Sequence, residues 1–277
     1  MSSLVIALLL ASAIIHAGWN ALVKSHADRL WSISVISFFG ALAALPFAYL
    51  FGLPQPASLP FIAASSCLQI GYTLFLVRAY DHGELAQVYP IARGTAPLLV
   101  TLGAAIFVGE LSEALTLVGI ALVSMGILAL SIGKGRANQN ALLSAFAAGC
   151  FIASYMLVDG LGVRVSKNVL GYAALQAVVA GLLIPVAFVG IRRKLPRPPH
   201  GRAGAVIATA GVLSTLGYCV AIWAMSAAPM GGVSALRETS ILFAAFFSAF
   251  VLRERPTVQK LTGAILVTAG VVALSTT

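Results

Sequence analysis

Apolar runs of about 20 residues recur along this chain from Leu4 to Ser275, each long enough for a hydrocarbon core of about 30 Å. A segment in lipid must satisfy its own backbone polar groups, so each run is read as a helix. Sixty per cent of residues are hydrophobic and 9% are charged, and the mean hydropathy is +1.00. A soluble domain carries about 25% charge. The sequence therefore predicts an all-α integral membrane protein with no separate soluble domain. Ten spans are expected: Leu4–Val23, Trp31–Phe51, Pro60–Ala79, Glu84–Val108, Leu115–Ile132, Ala141–Val158, Val169–Ile191, Ala203–Met225, Gly231–Leu252 and Val258–Ser275. Met1 to Leu4 carries no basic residue and the first apolar run continues to Lys24, unlike a cleaved signal peptide.

One stretch repeats. Tyr89 to Glu110 reads YPIARGTAPLLVTLGAAIFVGE, with Arg93 bracketed by Pro90 and Pro97. Arg93, Glu110, Gly119 and Gly126 recur as Arg237, Glu254, Gly263 and Gly270, each 144 positions later. Leu122, Val123, Ala129, Leu130 and Ser131 match Leu266, Val267, Ala273, Leu274 and Ser275 at the same offset. A gapless match of this length is read as an internal duplication: 1–133, a link at 134–140, and 141–277.

Loop charge orients the copies. Loops after odd-numbered spans hold Lys24, Arg29, Arg78, Lys134, Arg136, Arg192, Arg193, Lys194, Arg197, Arg202, Arg253, Arg255 and Lys260, whereas the opposite loops hold only Arg164 and Lys167. The positive-inside rule places the odd loops in the cytoplasm and both termini outside. Five spans per half invert the second copy. The turn GELSE has no Lys or Arg, while its copy RERPTVQK has three, as inverted repeats predict. Only the loop after the sixth span departs from this pattern. The net charge of +9 is thus a topology signal facing lipid rather than a nucleic-acid footprint.

The two Arg-to-Glu blocks, each followed by paired glycines, resemble the EamA-type transporters of the drug/metabolite transporter superfamily. HAGWNALVK in the first span, its weaker copy ASYMLVD, and the pairs Gly71–Tyr72 and Gly217–Tyr218 carry the same resemblance. It covers essentially all 277 residues. It implies ten helices around a central cavity, alternating access without ATP, and export of amino acids or other metabolites across a bacterial inner membrane. The segment Arg78 to Pro97 is also similar to a subgroup associated with phosphonate utilisation.

A charge at the bilayer centre costs at least about 2.5 kcal/mol on insertion scales, so such charges are functional candidates. Arg93 lies about 14 Å past Glu84, and Arg237 about 9 Å past Gly231, at 1.5 Å per residue. The expectation is that both arginines face water and hold a carboxylate or phosph(on)ate of the substrate, since a guanidinium pairs with two oxygens. The alternative is a lock onto Glu238 or Glu84 for structure only. Pro90 and Pro97 free backbone carbonyls for a pathway or a gate, or simply kink the helix. Pro229 reads as a helix start. His16, Asn20 and Lys24 share one helical face beside Trp19. Lys24 can equally snorkel, and Asn20 can equally bond a neighbouring helix. Tyr72, Tyr89, Tyr218 and Trp223 are pathway or core aromatics. Glu84, Glu238 and His16 are the candidate proton carriers. Glu110 and Glu254 read as solvated boundary residues, and Asp159 as a lone carboxylate at a helix end. Gly119, Gly126, Gly263 and Gly270 suit close packing or a dimer contact, leaving monomer and homodimer both open. Cys67, Cys150 and Cys219 read as packing residues.

No phosphate loop, metal motif or nucleophile elbow occurs, so no cofactor, metal or enzymatic activity is expected. The reading is a carrier for a small anionic or zwitterionic metabolite, with the lipid bilayer as its other partner. A carrier exporting amphipathic cations, and a passive pore or structural membrane protein, are the alternatives.

Overall fold

The computed structural model describes residues 1–23, 28–132, 138–244 and 257–276, without the side chains of 19–23 and 85. All regular structure among them is helical. The helices are α1 (Ser3–Val23), α2 (Arg29–Phe51), α3 (Leu59–His82), α4 (Leu85–Gly103), α5 (Ala114–Ala129), α6 (Gln139–Val165), α7 (Val169–Arg192), α8 (Gly201–Ala227), α9 (Met230–Glu238) and α10 (Val258–Ser275). Among the described residues, seven helical segments are long and apolar enough to cross a membrane. The apolar parts of α1 and α5 are shorter. Four starts among the described residues carry side-chain caps, at Asp28, Asn138, Asn168 and Thr257. Asp28 accepts from the Trp31 amide at 3.0 Å and Asn168 from the Gly171 amide at 2.9 Å, each satisfying a donor the helix leaves orphaned. Outward faces carry exposed Phe107, Val186 and Ile265 where a soluble fold would carry charge.

Two segments differ from expectation. The sixth helix does not stop at Val158 but runs to Val165. The ninth, expected to be continuous over Gly231–Leu252, is interrupted: α9 ends at Glu238, Thr239 is a turn, and helix resumes at 240–244. The Thr239 hydroxyl donates to the Leu236 carbonyl at 2.6 Å, offering the chain a local alternative to the helical ladder. Pro229 occupies the N-cap of α9. After α4, a π-helical turn at Ala104–Val108 ends at Gly109, whose φ of 70° suits a residue without a Cβ.

Connections that follow α2, α4, α6 and α8 gather at one end. There Asn168 Nδ2 donates to the Phe51 carbonyl at 2.8 Å, and Arg164 bonds the carbonyls of Met225 and Ala228. Met1 packs on Gly232, and Leu274 on Gly119, so both termini lie at this same end. At the other end Asp28 lies 4.0 Å from Arg192, and Gly83 abuts Ala141. The helices pack as α1 on α8 and α9, α2 on α7 and α8, α3 on α6 and α7, α4 on α6 and α9, and α5 on α10.

The α5–α10 crossing is built on glycine. A Cβ on Gly119 would meet the Gly270 carbonyl at 3.0 Å, and one on Gly126 the Gly263 carbonyl at 2.8 Å. Both glycine faces are therefore consumed within one chain, and the dimer contact suggested for them is not available. Gly126→Val is expected to cost about 1–3 kcal/mol, because backbone cannot move aside as a flexible side chain can. Thermal unfolding of the purified variant in detergent checks this; an unchanged midpoint would contradict the close approach.

Candidate functional site

Buried charge converges where α1, α4, α6, α8 and α9 meet. Arg93 sits one turn beyond Tyr89 on α4, and its guanidinium carbon lies 5.2 Å from that ring. Nη1 donates to both carboxylate oxygens of Glu238, at 3.0 Å each. Nη2 lies 3.4 Å from His16 Nε2 on α1. Arg93 is 6% exposed and Glu238 fully buried. Glu238 reaches across to α4 rather than to its neighbour Arg237 because consecutive residues on a helix do not face each other. The lock onto a carboxylate is thus the arrangement Arg93 adopts. The expectation that it faces water is not met: the side chain is 6% exposed and its Nη1 is spent on Glu238.

Arg237 is different. It is 8% exposed and carries no hydrogen bond or ion pair among the described residues; its Nη1 is buried without a partner. Its guanidinium carbon lies 4.6 Å over the face of Tyr218, a contact that stabilises a cation by about 0.5–2 kcal/mol. Here too the expected water-facing side chain is covered, in this case by an aromatic face. Tyr155 stands between Tyr72 and Tyr218, edge-on to both, with ring centroids 6.0 Å and 5.7 Å away.

Tyr218 connects this arginine to an acid that the sequence reading passed over. Its hydroxyl donates to Asp159 Oδ2. Ser65 on α3 donates to the same oxygen at 2.7 Å, and Tyr172 on α7 to Oδ1 at 3.0 Å. Asp159 is fully buried, not at a helix end, because α6 extends six residues past it to Val165. The rule applied to Arg93, that charge within an apolar span marks a site, would have found it.

The other candidates are placed as follows. Glu84 is exposed at the start of α4, away from the buried charges. Tyr72, Tyr89 and Trp223 are half-buried against the main core. Pro90 and Pro97 are buried within an unbroken α4, and Thr101 bonds the Pro97 carbonyl at 2.7 Å. The side chains of Trp19 and Asn20, and all of Lys24 and Glu254, lie outside the described residues.

Glu110 is not a solvated boundary residue. Oε1 accepts from the Met230 amide at 2.7 Å, capping α9, and Oε2 pairs with Arg164 Nη1 at 2.8 Å. Arg164 also donates to Met225 at 2.9 Å and Ala228 at 3.2 Å. This bracket ties α6 to the α8–α9 junction, which accounts for the one basic loop that broke the charge pattern. Charged hydrogen bonds contribute about 1.5–3 kcal/mol. Arg164→Ala is therefore expected to speed amide exchange at residues 226–232 by about 10- to 100-fold; exchange at the wild-type rate would refute the bracket.

Comparison with known proteins agrees with this architecture. Residues 139–276 match the model of the EamA-like transporter family. The chain belongs to that family. As an EamA-like protein with many apolar helices, it is a multi-pass membrane transporter. A solved structure titled "Crystal structure of protein" is similar with a TM-score of 0.80, over 99% of this chain and 99% of that one. At 17% identity this likeness concerns the fold alone. No curated protein matches the chain in sequence.

Proposed function

We propose that this EamA-like chain moves a small anionic or zwitterionic metabolite (a carboxylate, phosphonate or amino acid) by alternating access between two inverted five-helix repeats, with export as the net direction. Arg237 carries the reading. A buried guanidinium whose Nη1 has no hydrogen-bond partner among the described residues is costly, and an oxyanion would satisfy it. Arg93 is already neutralised by Glu238, so the substrate anion is assigned to Arg237 alone.

The repeat reading is supported by how the helices pair. Exchanging α1–α5 for α6–α10 converts the α3–α6 contact into α8–α1, α4–α6 into α9–α1 and α2–α8 into α7–α3, all of which occur. The same exchange converts Gly119 facing Gly270 into Gly263 facing Gly126. A two-fold axis across the helices would produce this reversal, which supports the inverted-repeat reading.

Thermal-shift screening of the purified chain against carboxylates, phosphonates, amino acids and amphipathic cations tests the substrate class, since a ligand that binds only the folded state raises the melting temperature. Counterflow of the best ligand in proteoliposomes tests the mode. Stabilisation by cations but not by anions would favour the efflux alternative. Flux without saturation or counterflow would make the chain a pore.

A further inference from the structure

The buried cluster around Asp159 contains more acceptors than it has hydrogens to fill them. Ser65 Oγ receives Gln69 Nε2 and Gln176 Nε2, each at 3.3 Å, so its own hydrogen is committed to Asp159. Tyr172 and Tyr218 spend their hydroxyl hydrogens on the same carboxylate. Oδ2 thus accepts twice and Oδ1 once, which leaves Oδ1 with a free lone pair. Four residues past Tyr172, on the same face of α7, Gln176 Oε1 is buried without a partner, in a side chain 1% exposed. Among the described residues the cluster thus holds two acceptors, Asp159 Oδ1 and Gln176 Oε1, that could each take one more hydrogen. Separations of 2.7 Å and 3.0 Å set these oxygens on one another rather than around a metal ion.

We propose that Asp159 is a proton-binding site, taking one proton per chain, and that Tyr218 relays its state to Arg237. The proton comes from water and adds to Oδ1; nothing is oxidised or reduced. The new O–H needs an acceptor, and Tyr172 provides one by turning its own hydrogen away, toward the orphaned Gln176 carbonyl. Neutralising Asp159 weakens the bond that holds Tyr218, and the Tyr218 ring is the cover over Arg237. The titratable and charged groups brought to this interior by the elements packed on α6 are Tyr72 from α3, Arg93 from α4, Tyr172 from α7, Tyr218 and Cys219 from α8, and Arg237 and Glu238 from α9, with Tyr155 on α6 itself.

Charge balance, resting on the anion reading of Arg237, sets the coupling. Arg93 and Arg237 offset Glu238 and Asp159. An anion on Arg237 adds one negative charge, and a proton on Asp159 removes it. Anion and proton are therefore carried together, so the proposed export requires an outward anion gradient that exceeds any inward proton gradient. The candidate proton carrier becomes Asp159 in place of Glu238, which is held by Arg93, of exposed Glu84, and of His16, which lies 3.4 Å from Arg93 Nη2.

Infrared difference spectra of the full chain in lipid, recorded without any substrate while the pH is lowered through the range in which it stays folded, test the site directly. The expected result is a protonated-carboxyl stretch that is lost in Asp159→Asn and displaced in Tyr218→Phe, which keeps the ring on Arg237 but removes the hydroxyl. A spectrum that Asp159→Asn leaves unchanged overturns the proposal. Should that variant not fold, Asp159→Glu serves instead, and a band it does not displace overturns the proposal equally. A band that ignores Tyr218→Phe refutes the relay. A transporting chain without the band would lose this proton site and keep its anion reading. A chain with the band that carries no anion would do the reverse.

Discussion

Replacing Glu238 with alanine is expected to destabilise the protein more than any other single change considered above. The substitution leaves the Arg93 guanidinium in an interior where it is 6% exposed and where its Nε already lacks a partner. Removing one member of a buried ion pair costs about 3–5 kcal/mol, because the remaining charge is stranded. Folded domains hold only about 5–15 kcal/mol in all. The variant should thus show a sharply lowered melting midpoint and poor recovery from membranes. The pair as a whole is a different matter, since exchanging both members for apolar side chains of similar volume is often neutral or better. Arg93→Met combined with Glu238→Leu is expected to regain most of the lost stability. A Glu238→Ala protein melting at the wild-type temperature would mean that the two side chains do not pair in the membrane.

Arg237→Ala should do the opposite: little to stability and much to transport. Among the described residues the side chain has no hydrogen bond to lose, only its stacking on Tyr218. A hydrogen bond between a charged donor and an anion contributes about 1.5–3 kcal/mol, so loss of the guanidinium should lower anion binding and flux by about 10- to 100-fold. Arg237→Lys keeps the charge but not the planar fork, and should fall between alanine and wild type. Measured side by side, melting and counterflow separate the two arginines. On the proposed reading, position 93 should matter to the fold and position 237 to the cargo. Full flux in folded Arg237→Ala would remove the anion site.

Most of the helical layout was legible because lipid leaves few options. Length and hydropathy alone place a helix wherever an apolar run is long enough, and α2, α3 and α7 begin and end within a few residues of their expected bounds. What hydropathy could not resolve were the ends and breaks governed by hydrogen bonds. Asp159 and Arg164 lower the local hydropathy, so hydropathy ends the sixth span at Val158 and makes its acid terminal. The interruption at Thr239 has no proline to announce it and depends on a serine/threonine turn within an otherwise helical pattern. Both arginines stood out as charges in apolar sequence, but their partners could not be read there. Glu238 was visible as the neighbour of Arg237, and only the packing of α9 against α4 gives it to Arg93. Ser65, Tyr172 and Gln176 are ordinary residues of apolar helices until the fold sets them around one carboxylate.

The glycine faces of α5 and α10 bring backbone against backbone, flanked by only a few side chains such as Val123, Val267 and Leu274. Such a seam can serve as a fulcrum but not as a gate. If transport runs by the proposed alternating access, the rocking should turn about this seam, and a covalent tether placed across it should leave turnover intact.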